Sequence, residues 1–182
     1  MEDETVECAT RRWLERFVVG MGLCPFAASP LAQDRVRFVV SAASEEGALL
    51  VALQEEIAFL DRQPAIDTTL LIHPAVLQDF LAYNDFLDLA DALLVDCDRD
   101  GVYQVASFHP SYQFAGTAPD AAENYTNRSP YPMLHLLREE SVGRAVASGI
   151  DTNDVPVRNI QQMNKLGEKE LARLLDACRS GP

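Results

Sequence analysis

The sequence predicts an α/β fold: a small three-stranded, mainly parallel sheet with crossover helices, a long ordered loop and a helical C-terminal region. Three observations carry this. The runs RVRFVVS (35–41), TTLLIH (68–73) and VYQVASF (102–108) are short and rich in β-branched and aromatic residues. Between them the apolar residues recur at helical rather than alternating spacing. Strands joined through helices return as right-handed crossovers, which gives parallel neighbours.

The elements follow in order. Val6, Thr10, Trp13, Leu14, Phe17, Val18 and Met21 share one helix face, and the glycines at 20 and 22 followed by Pro25 end that helix. After the first strand, Ser44 is the expected cap of a second helix, whose stripe is Leu49, Leu50, Leu53, Ile57 and Leu60. The second strand is apolar enough to be buried on both faces. The segment 74–98 turns helical again. As one straight helix it would be ~35 Å long against a ~20 Å strand. A break at Tyr83-Asn84-Asp85 into a helical hairpin, which would reverse the third strand, is therefore the alternative. Beyond the third strand come the loop 109–132, a helix over 133–147, another from Asp154-Val155-Pro156, and a last one after Gly167.

The 182 residues suit one domain, 1–182, and 48% apolar with 24% charged residues is a globular composition. A net charge of −13 repels nucleic acid and anionic membrane surfaces, so neither is an expected partner. No apolar run reaches bilayer length, the start MEDE is unlike a signal peptide, and the four cysteines are scattered. A cytoplasmic location is expected, and the oligomeric state is not legible.

The three histidines suggest a site. His73 ends strand two in IHP and His109 ends strand three in FHP, each followed by a proline that stops the ladder. If the strands are parallel, both imidazoles lie at the carboxyl edge, where open α/β sheets bind ligands. His135 and Glu139 stand four residues apart on the expected helix 133–147, so Glu139 would orient His135 or join it as a ligand. His73, His109, His135 and Glu139 form a candidate metal set suited to zinc or iron. For each histidine the competing account is structural: a local hydrogen-bonding role for His73 and His109, a surface pair for His135.

The loop 109–132 carries Tyr112, Phe114, Tyr125 and Tyr131 for packing, with prolines to stiffen it, and is expected to form an ordered pocket wall. Tyr112, Gln113, Asn124, Asn127, Arg128 and Ser129 are its candidate ligand-binding residues. Arg128 beside a helix start capped by Ser129 would hold a carboxylate or phosphate; an ordinary cap with Arg128 paired to Asp120 or Glu123 is the alternative. Cys24, in GLCPFA, follows a helix C-terminus whose dipole raises a thiol pKa. It reads as a buried small residue, with Cys–His nucleophilic catalysis and haem ligation through Cys-Pro as the alternatives.

At LCPFA, DTTLLIHP, FLAYNDFL, QVASFHPSYQFAGTAPD and NYTNRSPYPMLHLLREES the sequence resembles a mostly bacterial family, with some plant members, catalogued as a domain of unknown function (number fourteen-fifteen). The resemblance runs from about Thr10 to Ile160 and implies a stand-alone α/β domain; it implies no activity, cofactor or catalytic residue. Function therefore rests on the residues. The first expectation is a small-molecule enzyme acting on an anionic ligand. Either His109, His135 and Cys24 do acid–base or nucleophilic work, or the histidines hold a metal. The alternatives are a ligand-, haem- or metal-binding sensor, and an interaction domain whose acidic segment 79–100 docks a basic partner.

Overall fold

A computed structural model describes residues 2–147 and 154–180. In chain order it contains α1 (Glu2–Arg12), a π-helix (Trp13–Val19), α2 (Ala28–Ala32), β1 (Val36–Val40), α3 (Glu46–Arg62), β2 (Thr68–Ile72) and α4 (Phe80–Asp96). Then follow β3 (Tyr103–Phe108), a 3-10 helix (Ala122–Thr126), β4 (Met133–Arg138), α5 (Glu139–Ala147), α6 (Val155–Leu166) and α7 (Glu168–Ser180). The fold is mixed α/β.

The sheet has four strands in the order β1-β2-β4-β3. Only β1 and β2 are parallel; β4 runs antiparallel to both β2 and β3. This corrects the three-stranded, mainly parallel sheet, and the error lies in one segment. MLHLLR is made of good helix formers, and its pattern predicts the opening of a helix. In the structure it alternates instead, with Met133, His135 and Leu137 on one face and Leu134, Leu136 and Arg138 on the other. Backbone groups along β2 and β3 need partners, and satisfying two strand edges outweighs a few tenths of a kcal/mol per residue of helix propensity. Because β4 opposes both neighbours, β3 still runs in the direction of β2. The helix begins only at Glu139.

Each face of the sheet carries its own core. On one side α3 and α4 pack Leu49, Leu53, Leu60 and Phe86 against Leu71, Leu134 and Leu136. On the other, Trp13, Phe17, Met163 and Leu171 pack against Leu70, Ile72 and Met133. All five β2 residues are buried, as a central strand requires. The segment 74–98 does not break at 83–85: Tyr83 and Phe86 both enter the core from one continuous α4, and Asp79 caps it through Ala82 N–H at 3.0 Å. Nor does Ser44 cap α3; Glu45 occupies that position without a side-chain bond.

Candidate functional site

His73 and His109 do sit at one sheet edge, on either side of the start of β4, since Met133 pairs with both Ile72 and Phe108. One ring nitrogen of His73 and both of His109 are engaged in local hydrogen bonds. His73 is fully buried, and Nδ1–H donates to Val76 O at 3.0 Å while its ring stacks on Tyr83 at 5.8 Å. Its Nε2 is buried without a partner, and burial lowers its pKa to about 4. His109 is engaged at both nitrogens: Nδ1 accepts Ser111 N–H at 3.0 Å, which makes Nε2–H the donor to Leu77 O at 3.2 Å. Phe80 packs beside it, ring centroids 5.5 Å apart, and Tyr112 packs on Phe80.

His135 is elsewhere. Strand alternation puts it on the opposite face from His73 and His109, and Glu139 stands at the far end of β4, with its N–H donated to Val102 O. The four do not converge. Among the described residues no group of three or more His, Cys, Asp or Glu side chains is placed to hold a metal ion, so the zinc or iron set is corrected on geometry.

Polar side chains of the loop 109–132 bond largely within it. Asn124 Oδ1 accepts from Phe114 N–H and Thr117 Oγ–H, and Asn124 Nδ2 donates to Ala118 O. Gln113 donates to Thr117 O, Asn127 to Ser107 O and Ser129 to Tyr131 O. Arg128 donates to Tyr112 O and Pro119 O and lies 4.5 Å over the Tyr125 ring. With no helix start at 130–132, the expected anion site at Arg128 and Ser129 is not formed, and the guanidinium fastens the loop instead.

A cavity of about 360 Å³ opens elsewhere, on the His135 face near the amino ends of β1 and β2. Its floor is Val36, Thr68, Leu70, His135 and Leu137; its walls are Leu14 of the π-helix, the turn from Cys24 to Ala27 and Val142 of α5. Arg35, Asp67, Ser141 and Arg144 gather at one side. There the buried Asp67 Oδ1 takes Arg35 at 2.9 Å, Ser141 Oγ–H at 2.7 Å and Arg144 at 3.4 Å. Two guanidinium groups thus face one carboxylate.

Among the described residues the His135 imidazole has no hydrogen-bond partner, and burial lowers its pKa to about 4, so it is neutral near pH 7. Cys24 is half-buried, and burial pushes its thiol pKa up although the Phe26 and Ala27 N–H groups pull the other way. The expected direction therefore holds for another reason, desolvation rather than a helix dipole. A protonated thiol is a poor nucleophile and a poor metal or haem ligand.

A second cavity of about 510 Å³ lies between the loop and α6 and also touches Cys24. Asn159 borders it; its Nδ2 donates to Leu23 O at 2.8 Å and its Oδ1 is buried without a partner. Arg35, Asp67, Ser141 and Arg144 were missed from the sequence because they carry no motif. Their one signal was position, since Arg35 and Asp67 immediately precede two strands and so share an edge.

A protein-family model described as "Protein of unknown function (DUF1415)" matches residues 5–173. No curated protein and no solved structure matches the chain.

Proposed function

Because the chain belongs to the DUF1415 family, whose description assigns no activity, we propose from the cavity alone that it binds a small, largely apolar organic acid and acts on it with His135 as acid–base group. One observation carries this: an imidazole without a hydrogen-bond partner among the described residues, in the floor of a cavity that has two guanidiniums, both bonded to Asp67, at one side. The apolar walls would desolvate the ligand, and Arg35 and Arg144 would take its carboxylate. The neutral imidazole would accept a proton from the bound molecule. A carboxylate held nearby favours the imidazolium, so occupancy raises the His135 pKa toward its ordinary range.

A non-catalytic ligand-binding module is the second function, favoured by a specific feature. No carboxylate is hydrogen-bonded to His135 among the described residues, whereas an acid–base histidine is commonly oriented by one. His135→Gln separates the two, since it retains ligand affinity in both and abolishes turnover only in an enzyme.

The test is calorimetric titration with a panel of small organic acids, followed by two-dimensional NMR of the His135 ring nitrogens. Binding is expected, weakened about tenfold by Arg144→Ala, the loss of one charge-assisted hydrogen bond. The bound acid should raise the His135 pKa. If no acid binds, or Arg144→Ala binds as well as the wild type, the proposal fails.

A further inference from the structure

Among the described residues the two cavities have one lining residue in common, Cys24. Resting on the organic-acid site proposed above, we infer that the ligand is a chain acid longer than the first cavity, with its carboxylate at Arg35 and Arg144 and its apolar tail passing Cys24 into the second. The linings set the orientation. The first cavity is lined by Arg35, Arg138 and Arg144 against the one carboxylate Asp67, whereas the second is lined by Val18, Leu23, Phe108, Phe114 and Ile160 and, among the described residues, has Glu123 as its only charged member. A carboxylate is drawn to the first and repelled from the second; a hydrocarbon tail suits the second.

Cys24 stands at the boundary of the two cavities. Leu14 borders the first cavity and Val18 the second, four residues along the same π-helix, so one wall runs past both. Between them stands a small, half-buried side chain whose thiol burial keeps protonated. It offers neither charge nor bulk against a methylene chain.

The test uses the full chain and straight-chain alkanoates, from butanoate through octanoate to dodecanoate, by calorimetry. Affinity is expected to rise through dodecanoate, by up to about fourfold for each methylene newly buried. Ile160→Trp and Ala115→Trp, both at exposed positions on the second cavity, should each weaken dodecanoate by about tenfold and leave butanoate within about twofold. Unchanged melting temperatures confirm that each variant is folded, and the two substitutions lie on different elements, so loss of one leaves the other to decide. Affinity that levels off at octanoate and ignores both tryptophans overturns the two-cavity inference while leaving the organic-acid site intact. Failure of every acid to bind, short or long, removes both.

Discussion

Single side chains explain why this protein's histidines behave so differently. His73 is held neutral, with its pKa lowered to about 4 from 6.5 mainly by burial. An unfolded chain takes up a proton at that ring as the pH drops through 6.5, and the native state does not until about 4. The stability linked to His73 is therefore fully present above about pH 6.5 and lost as the pH falls toward 4, on the order of 3 kcal/mol in all. Urea unfolding near pH 7 and near pH 5 should show a clear loss for the wild type and a smaller one for His73→Phe; equal losses would refute the assignment. Asn124 gives a second expectation. It is fully buried and makes three hydrogen bonds inside the loop 109–132. Asn124→Ala should cost about 1–3 kcal/mol, because partners are left unsatisfied, and limited proteolysis should then cut within that loop. These roles were half legible. The sequence placed two histidines at one sheet edge and a long loop beside them. It could not reveal that the polar groups there bind one another, because satisfaction of hydrogen bonds is a property of tertiary contacts.

At the level of elements, β4 and the π-helix are the informative cases. MLHLLR fits a helix stripe and a two-residue alternation about equally well, and six residues are too few for periodicity to decide. What decides is the slot between β2 and β3, which the local pattern does not contain. The consequence is measurable: β4 is bonded along both edges, whereas β1 and β3 each have one strand neighbour. Amide hydrogen exchange should be slowest at Leu134 and Leu136, slower than in β1, and the reverse order would contradict the topology. The π-helix depends on its terminal glycine. A Cβ at Gly20 would clash with the Arg16 carbonyl oxygen. Gly20→Ala must therefore displace the backbone where Leu14 and Val18 border the cavities, and it should destabilise by about 1–3 kcal/mol. Thermal melting reads that loss directly. The end of this helix was legible from its glycines; its widened winding was not, since no residue type encodes it.

For the whole molecule, the C-terminal helices close the second core. Leu171, Leu175 and Cys178 of α7 are buried. Arg12 donates to Cys178 O and Arg179 to Pro130 O, so α7 ties the first helix to the end of the loop. Truncation after Leu166 removes two buried leucines worth about 1.5–3 kcal/mol each, a large share of a domain's net stability. The truncated chain should bind a dye specific for exposed apolar surface and lose its sharp melting transition; a cooperative melt near the full-length temperature would contradict this. The order of strands has a consequence for synthesis. The chain leaves the ribosome with β1, β2 and β3 before β4, yet β4 belongs between β2 and β3. A nascent chain ending at Phe108 can pair β1 with β2 but must leave the inner edge of β2 open, and β3 has no strand to join. Such edges recruit strands from other molecules. The interval until Arg138 emerges is thus the period in which this protein is most exposed to chaperones and to aggregation, and slower translation between those two residues would lengthen it.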